Sequence, residues 1–421
     1  MSEAILELND QALLIQTDGG ALVAEPGCAR LTYEGVITGG EALSRAWLEP
    51  QHTHDQYWAK LGTAPLALPH PWARHNADIA YAQLRALWQQ AGEPDALLLL
   101  VPGSFSDAQL SILLGMAEAL PARVLGIVDS ALAACWHATG DVLYVDMQLR
   151  HTVVSRCVRS PGRVTIVDQE ILPDLGMAQL GNTLARQVSD LLIESHRYDP
   201  LHTSEHEQEI FDEVPGWLGH LRWESELSAS LETDLGPLAF VLRREEVAHG
   251  MEERLSNLYS FARRHADTRT VLSHASAPLV GVAPAFKGAT VAGQTVCMDN
   301  GFELLGQLPD PGGGLTRMSA LRTATESDTE RGPTVLATHL LCGTRALPLA
   351  SPVSVRLETG QPRLSRGIDR EAALSLVLQD GMLEALHHAP EAEAQLPPTG
   401  APGGEVVLSG HRMQLIEVRD G

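Results

Sequence analysis

Histidine and cysteine side chains are the first candidates for chemistry in this sequence, because they ligate metals and act as acids, bases or nucleophiles. The cysteines are widely separated and include no C-x-x-C pair: Cys28, Cys135, Cys157, Cys297 and Cys342. The histidines considered as ligands are His52, His54, His137, His202, His206 and His220, and none lies in an H-E-x-x-H motif. The sequence also contains no G-x-S-x-G motif and no Walker loop. We therefore predict buried thiols, surface histidines and no metal site.

Composition restricts the possible partners. The 421 residues are 44% hydrophobic and 20% charged, enough for a large core spread over two or three structural units. The formal net charge of −23 opposes binding to nucleic acid or anionic lipid and favours a protein partner. No apolar run approaches about 18 residues, the length of a membrane span, and the N-terminal MSEAILELND lacks a signal-peptide pattern. These features predict a cytoplasmic protein without a membrane partner.

The elements that would position functional side chains begin with a β-meander. The runs EAILEL, QALLIQT and ALVAE are separated by turn residues and predict three antiparallel strands. Residues 77–91 have one apolar helical face, and ALLLLVPG, RVLGIV and DVLYVDMQLRHTVVSRC contain further strands. After ALLLLVPG, Asp107 is expected to cap a helix. This alternation of strands and helices indicates an α/β fold.

The rest of the chain divides into three parts. Residues 174–300 are more helical, and Trp217 there is expected to pack a helix or, alternatively, to be an exposed docking residue. Residues 306–333, rich in glycine, proline, serine and threonine, are interpreted as a flexible linker. Residues 334–421 contain short strand-like runs separated by turns, which predict a small all-β sandwich.

Within residues 1–305, the order of motifs resembles the nucleotide-binding domain of the seventy-kilodalton heat-shock (DnaK-type) chaperones. The longest match runs from LLLLVPGSFSDAQLSILL through ALAACWHATG to DVLYVDMQLRHTVVS. Shorter matches are GGEALSRAWLEPQHTHDQYWAKLG and LETDLGPLAFVLRREEVAHGMEERLSNLYSFA. The resemblance implies a two-lobed actin-like ATPase fold of the ribonuclease-H-like class, with nucleotide held between the lobes. Phosphates in such a cleft need glycine-rich turns, Mg²⁺ ligands and a lysine.

The first phosphate loop of that family, D-x-G-T, corresponds to residues 7–11, Glu-Leu-Asn-Asp-Gln. By resemblance, Glu7 stands where the magnesium-side aspartate would be, and Asn9, Asp10 and Gln11 stand where the chain would contact phosphate. Two carboxylates would repel a triphosphate, at a cost of roughly 4 kcal/mol for charges about 4 Å apart at an effective dielectric near ~20. In the alternative interpretation, Asn9 and Asp10 form only a hairpin turn.

The second phosphate loop, D-x-G-G-G-T, corresponds to residues 146–151, Asp-Met-Gln-Leu-Arg-His. Asp146 is retained, but Gln148, Leu149 and Arg150 occupy the positions where three glycines would admit phosphate oxygens. The guanidinium of Arg150 could itself meet an anion. The alternative is that Asp146 simply ends a strand and that Arg150 is solvated.

Three further segments complete the cleft that the resemblance implies. The adenosine loop, L-x-G-G-x-x-x-x-x-G, corresponds to residues 272–281, in which His274 and Ala275 follow Ser273 and replace the paired glycines. Asp129 stands for a catalytic glutamate, and Lys60 for a catalytic lysine. The structural alternatives are that His274 packs in the core or on the surface and that Lys60 is an exposed surface residue.

The C-terminal unit resembles forkhead-associated phosphopeptide-binding domains over one short motif. Their S-R-x-H motif corresponds to Ser365-Arg366-Gly367-Ile368, in which the histidine is missing. The resemblance implies binding of phosphothreonine through Arg366. The alternative is a plain interaction sandwich that recruits a protein.

These observations lead to three hypotheses. The first is a heat-shock-seventy-like, chaperone-like pseudo-ATPase: a non-catalytic or very slow actin-fold scaffold that binds a protein partner and needs no cofactor. The second is a chaperone-like ATPase that binds ATP and Mg²⁺ through Glu7, Lys60, Asp129 and Asp146. The third is an adaptor that binds phosphopeptides through its C-terminal unit.

Overall fold

The structure, a computed structural model, describes residues 2–234, 236–308, 315–323, 337–358, 360–379, 382–390, 392, 394–397 and 400–418. These residues form two six-stranded sheets flanked by helices, two antiparallel sheets near the C-terminus, and three small sheets. The expected mixed α/β class is therefore confirmed. Within these residues, no helix combines the length and the apolar character needed to cross a membrane.

The first part of the chain supplies most of sheet one. Its strands are β1 (Glu3–Glu7), β2 (Leu13–Thr17), β3 (Val23–Glu25), β4 (Ala29–Leu31), β5 (Val36–Thr38), β6 (Thr53–His54), β7 (Pro65–His70), β8 (Ala73–His75), β9 (Ala96–Val101) and β10 (Arg123–Asp129). Its helices are α1 (Gly40–Leu43), α2 (Asn76–Gln90) and α3 (Asp107–Glu118).

The second part supplies sheet two and the longest helices. Its strands are β11 (Val142–Met147), β12 (His151–Ser160), β13 (Arg163–Pro173), β14 (Glu226–Leu231), β15 (Leu238–Arg243), β16 (Arg269–Leu272), β17 (Thr290–Val291), β18 (Arg317–Met318) and β19 (Ala320–Arg322). Its helices are α4 (Ser130–Cys135), α5 (Met177–His196), α6 (Ser204–Leu221), α7 (Arg244–Arg264), α8 (Leu279–Val282) and α9 (Val296–Leu305).

The third part contains strands and no helix in its described residues. Its strands are β20 (His339–Cys342), β21 (Arg345–Pro348), β22 (Val353–Glu358), β23 (Gln361–Arg366), β24 (Leu374–Gln379), β25 (Met382–His388), β26 (Ala394–Gln395), β27 (Glu405–Leu408) and β28 (His411–Ile416).

The two large sheets repeat one strand order. Sheet one runs β18-β10-β9-β1-β2-β3, with β1 antiparallel to β2 and parallel to β9. Sheet two runs β17-β16-β11-β12-β13-β19, with β11 antiparallel to β12 and parallel to β16. In each sheet, a three-stranded meander is therefore followed by two parallel strands on the other side of its first strand. The predicted opening meander is confirmed as β1–β3.

Alternating side chains place the sheets in five layers. Leu6 of β1 packs with α2 and α3 on the outer face of sheet one, whereas Ile5 packs toward α4 and α9 between the sheets. On sheet two, Tyr144 faces that same middle layer, and Val145 faces α5, α6 and α7. This inside-outside alternation is what a strand period of two requires when both faces of a sheet are covered. The ends of β1 and β11 thus lie close to each other.

Part of the segment expected to be a linker is strand. The two residues of β18 pair with β10 of sheet one, and the next strand, β19, pairs with β13 of sheet two. Only Ser319 separates these strands, and its carbonyl oxygen accepts a 3.1 Å hydrogen bond from the backbone N–H of Ile166. The segment therefore connects the edges of both sheets. Residues 309–314 and 324–336 of the expected linker lie outside the described residues.

The C-terminal unit consists of the sheets β21-β20-β28-β27-β26 and β23-β22-β24-β25, all antiparallel. Buried residues of both sheets form one hydrophobic cluster that includes Leu340, Val355, Leu374 and Leu415. This cluster is distinct from the clusters around the two large sheets. The C-terminal unit therefore has a core of its own.

Two local predictions need correction. Ser106, not Asp107, caps α3: the Ser106 hydroxyl accepts from the backbone N–H of Gln109, and the Gln109 side chain accepts from the backbone N–H of Ser106. This capping box satisfies two helix-end donors, which Asp107 one position later does not do. The docking interpretation of Trp217 is wrong, because its side chain is buried against Phe240, with ring centroids 5.6 Å apart.

Candidate functional site

A cavity of about 710 Å³ lies where the central strands of the two sheets end. Glu7 of β1 and Asp146 of β11 line its floor, and both side chains are buried. Small-molecule sites typically have volumes of about 300–1,000 Å³. The cavity is thus large enough for a ligand, and what it accepts depends on the loops around it.

The loops that follow β1 and β11 are bonded directly to each other. The Asp10 carboxylate accepts a 2.5 Å hydrogen bond from the backbone N–H of Leu149. In return, the backbone N–H of Asp10 donates to the side-chain oxygen of Gln148 at 3.2 Å. The backbone donor of Leu149, which could otherwise bind an anion, is already used by a carboxylate of the same chain.

Two amide side chains add further bonds between these loops. The Asn9 amide donates to the Asp146 carboxylate at 3.0 Å and to the Met147 carbonyl at 3.1 Å. The Gln11 amide donates to the Met147 carbonyl at 2.7 Å and to the Ala275 carbonyl at 3.3 Å. Asn9 and Gln11 therefore fasten the first loop to the second loop and to the loop that follows β16.

The N-terminus of α5 also bonds to the second loop. The backbone N–H groups of Met177 and Ala178 donate to the carbonyl oxygens of Gln148 and Leu149 at 3.1 and 2.9 Å. The first N–H groups of a helix have no partner within the helix and commonly bind anions. Here two of them are satisfied by the chain itself. A Cβ atom on Gly176 would lie 2.6 Å from the Leu149 carbonyl oxygen, so the approach is close.

The loop after β16 is fixed by serine hydroxyls. The Ser276 hydroxyl accepts from the backbone N–H of Met147 at 2.6 Å and donates to the Val145 carbonyl at 3.0 Å. The Ser273 and Ser276 hydroxyls lie 2.9 Å apart. His274 lines the cavity, and burial lowers its pKa, which keeps the imidazole neutral. The packing interpretation of this histidine is therefore compatible with its position.

The floor of the cavity resists ionisation. Burial, with the nearby Asp146 charge as a second cause, raises the pKa of Glu7 to about 8. Burial also raises the pKa of Asp146 to about 7, although hydrogen bonds from Ser273, Gln148 and Asn9 oppose the shift. The pKa of Asp10 is raised to about 6, mainly by burial. In the absence of a bound cation, Glu7 therefore holds its proton near neutral pH.

Two residues that the resemblance assigns to catalysis lie away from the cavity. The Asp129 side chain caps α4 by accepting from the backbone N–H of Ala131 at 3.0 Å, and its second oxygen accepts from Gln169 at 3.1 Å. Lys60 is exposed, and its backbone carbonyl oxygen accepts a hydrogen bond from the Asn76 side-chain amide. Neither Asp129 nor Lys60 lines the cavity. Of the four residues expected to be catalytic, only Glu7 and Asp146 lie in it.

The residues expected to bind nucleotide are distributed differently. Most of them do line the cavity: Asn9, Asp10, Gln11, Leu149, Arg150, Ser273, His274 and Ala275. Gln148 is buried between the two loops instead, and its amide donates to Asp146 at 2.6 Å. The Arg150 guanidinium forms an ion pair with Asp55, so its charge is partly neutralised.

An aromatic contact closes the cavity on one side. The rings of Trp47 and Phe211 stack with centroids 4.0 Å apart, and both residues line the cavity. Beside them, the backbone N–H of Trp47 donates to the Gln208 side chain at 3.0 Å, and the Gln208 amide donates to the Leu43 carbonyl at 3.1 Å. These bonds join the segment after α1 to α6, which packs against sheet two.

Sequence reasoning did not identify several cavity residues. These are Trp47, Asp55, Phe211, Arg222 and Glu384, which come from distant parts of the chain. The tryptophan, the phenylalanine and the charged residues have no local motif around them. They meet only through contacts between distant segments of the folded chain, and a single sequence contains no information about such contacts.

His202, Glu205 and His206 have the H-x-x-E-H spacing of some zinc sites. In the structure His202 ends a 3₁₀ turn before α6, and the His206 ring is bonded to Tyr198 at 2.8 Å. Among the residues that the structure describes, no three histidine, cysteine or carboxylate side chains are grouped to hold a metal.

The cysteine thiols are free and mostly buried. Four of them are buried, as expected, and Cys342 is half-buried. Cys28 and Cys297 line the cavity, whereas Cys135 and Cys157 lie in the middle layer behind it.

No protein-family profile matches the chain, and a search of the curated proteins finds no match.

Proposed function

We propose that this protein is a heat-shock-seventy-like pseudo-ATPase: a non-catalytic or very slow actin-fold scaffold that binds a protein partner. The observation that carries the proposal is the bond from the Leu149 backbone N–H to the Asp10 carboxylate. In the nucleotide-binding domain that the sequence resembles, phosphate lies between the two loops that correspond to these. A carboxylate of the chain occupies the donor that phosphate would need, so nucleotide binding would require breaking native hydrogen bonds.

The repeated strand order supports the actin-like part of the proposal. Both large sheets place a meander on one side of their first strand and parallel strands on the other. In a two-lobed ATPase fold, ligands bind between the ends of such sheets, and the cavity lies at the ends of β1 and β11. The C-terminal sheets, which share one buried cluster, are proposed to form a β-sandwich.

Electrostatics supports the non-catalytic part. A triphosphate in the cavity would face Glu7, Asp10 and Asp146, whose raised pKa values arise because buried charge is already unfavourable there. The cation nearest to the second loop, Arg150, is paired with Asp55. Lys60 lies outside the cavity. Arg222, the second arginine among the described lining residues, also lies 3.8 Å from a carboxylate of the chain, that of Glu384. Both arginines that could meet a polyanion therefore already have carboxylate partners.

Calorimetric titration of the full chain with Mg-ATP, followed by a phosphate-release assay, tests the proposal. We expect no binding heat at micromolar nucleotide and no turnover above the rate without protein. Micromolar binding accompanied by turnover would reject the scaffold and support the ATPase that uses Glu7 and Asp146.

The partner is tested separately by affinity capture with the intact protein, with and without excess Mg-ATP. A scaffold of this kind retains its partner in both conditions. Release of the partner by Mg-ATP would contradict the proposal. Capture that depends on phosphothreonine and is lost in Arg366→Ala would instead support a phosphopeptide adaptor; Arg366 is exposed at the end of β23.

A further inference from the structure

Five carboxylic acids are among the described residues that line the cavity, and four of them are already bonded within the chain. The Asp10 carboxylate accepts from a backbone N–H group, and that of Asp146 accepts from two side-chain amides. Asp55 and Glu384 each form an ion pair with an arginine. The fifth acid is Glu7, and its surroundings differ from those of the other four.

The carboxyl group of Glu7 has little of its hydrogen-bonding capacity used by the chain. The residue is 8% exposed and lines the cavity. In the part of the chain that the structure describes, the side chain that hydrogen-bonds this carboxyl group is the thiol of Cys297, which is a weak donor. Buried polar groups normally have good partners, because leaving them unsatisfied is costly. A ligand in the cavity that donates hydrogen bonds to Glu7 would satisfy it.

The charges near Glu7 indicate the sign of the ligand's head group. The Asp146 carboxyl group is close enough to act on Glu7 electrostatically. Both lining arginines, Arg150 and Arg222, already lie beside other carboxylates of the chain. A negative head group would be repelled by the two acids. A positive head group is attracted to both of them and favours the ionised form of Glu7.

An organic cation suits this floor better than a metal ion does. Calcium and magnesium ions take six or more ligands, mostly oxygens. In the described ranges of the chain, no three histidine, cysteine or carboxylate side chains are grouped to hold a metal. An organic head group needs fewer protein partners: an amidinium can pair with a single carboxylate through two parallel N–H bonds, as an arginine does.

The helices beside the cavity supply an apolar wall for the body of such a ligand. Met177 of α5, Phe211 of α6 and Trp47 after α1 line the cavity, and all three are only half-buried. The stacked rings of Trp47 and Phe211 form a flat aromatic surface. Covering this remaining apolar surface with a ligand is favourable, and flat rings suit an aromatic body.

We propose that the cavity binds a small organic cation whose positively charged head group pairs with Glu7 and whose apolar body lies against Trp47, Phe211 and Met177. This goes beyond the scaffold function and does not depend on it. Titration with Mg-ATP tests the nucleotide, whereas the compounds below test the cation, so either proposal can fail without the other.

Three compounds with the same aromatic body test the sign of the head group. Naphthamidine, naphthamide and naphthoate, substituted at the same ring position, are a cation, a neutral molecule and an anion at neutral pH. Each is titrated calorimetrically into the full chain at about 0.15 M salt, which screens attraction to the acidic surface. We expect one naphthamidine per chain, bound at least about tenfold more tightly than naphthamide, and no binding of naphthoate. No binding of naphthamidine, equal affinities for the cation and the amide, or preference for the anion would overturn the proposal.

Three variants locate the binding site. Glu7→Gln keeps the size of the side chain but cannot carry its charge, so we expect naphthamidine to bind at least about tenfold more weakly and naphthamide to bind within about threefold of its original affinity. Trp47→Ala removes a contact to the body and should weaken both compounds by a similar factor. Glu405→Gln is the control, because Glu405 is exposed, pairs with Arg412 in the C-terminal unit and does not line the cavity.

Naphthamidine that binds Glu7→Gln as tightly as the original chain would overturn the proposal, since the cation would then lie elsewhere on this acidic protein. If Glu7→Gln does not fold, the three compounds on the unaltered chain decide together with Trp47→Ala. Naphthamidine affinity that is the same in Trp47→Ala and in Glu405→Gln would equally overturn it.

Discussion

The Asp10 carboxylate and the Leu149 backbone N–H, 139 positions apart in the chain, form a 2.5 Å hydrogen bond across the two loops of the cavity. A carboxylate bound to backbone N–H groups is the arrangement by which proteins bind anions. In this protein the anion belongs to the chain itself.

Replacing Asp10 tests whether this bond stabilises the fold. Asp10→Ala leaves the Leu149 N–H without its partner, and we expect the free energy of unfolding to fall by about 1–3 kcal/mol. Asp10→Asn keeps an acceptor oxygen and is the matched control, with a loss of less than about 1 kcal/mol. Urea unfolding measures both. Equal stability of Asp10→Ala and the original chain would show that the bond contributes nothing.

The close approach of α5 to the second loop predicts a strong effect of one methyl group. A Cβ atom on Gly176 would lie 2.6 Å from backbone atoms of Leu149 and Arg150, which cannot move without disturbing the loop. We expect Gly176→Ala to lower the free energy of unfolding by about 2 kcal/mol or more. At Gly140 a Cβ atom meets open space, so Gly140→Ala is the control. Thermal unfolding that did not distinguish these variants would refute the prediction.

The floor of the cavity predicts the pH dependence of stability. The folded chain holds protons on Glu7 up to about pH 8 and on Asp146 up to about pH 7, against ordinary pKa values of 4.5 and 3.8. The unfolded chain releases these protons at lower pH and therefore binds fewer of them in between. The contribution of these two groups to the free energy of unfolding therefore decreases as the pH rises from about 4 to about 8.

Glu7→Gln removes one of these titrations without changing the size of the side chain. We expect the variant to be more stable than the original chain by about 4 kcal/mol at pH 8 and nearly equal to it at about pH 4. Urea unfolding at several pH values measures this difference. A constant difference across the pH range would mean that Glu7 does not titrate as its burial requires.

The stacked rings of Trp47 and Phe211 predict how firmly the two halves are joined. Trp47→Ala removes the stack, and we expect the free energy of unfolding to fall by about 1–3 kcal/mol. We also expect faster hydrogen exchange of the backbone N–H groups around residue 47 and in α6. Trp72→Ala is the control, because Trp72 is 54% exposed. Exchange rates that rise equally in both variants would contradict the joining role.

The sequence predicted those elements whose signals are local. Alternating apolar residues separated by Asp18 and Gly19 were enough for the opening meander, because a hairpin turn and a strand period are both short-range features. The cap of α3 was assigned one residue too late because Ser106 and Asp107 are both good cap residues, and only the reciprocal bond with Gln109 distinguishes them. Strands β18 and β19 were not predicted, since two or three residues carry no period.

The site was predictable only in part. Glu7 and Asp146 were identified because their loops correspond in order to the two phosphate loops of the family that the sequence resembles, and both do lie in the cavity. The bond between Asp10 and Leu149 depends on two segments whose approach is set by the whole fold, so no local pattern indicates it. Lys60 was aligned on its sequence neighbours, yet the turn that carries it points it to solvent.

The short run from Met318 to Ala320 limits how the two large sheets can move. Met318 pairs with the edge of one sheet and Ala320 with the edge of the other, so the two edges are tied by a span of two residues, at most about 7 Å. A translation that pulled the sheets apart would break backbone ladders on both sides. A displacement of the two sheets that keeps both ladders intact must therefore leave the edges at Met318 and Ala320 within this short reach of each other.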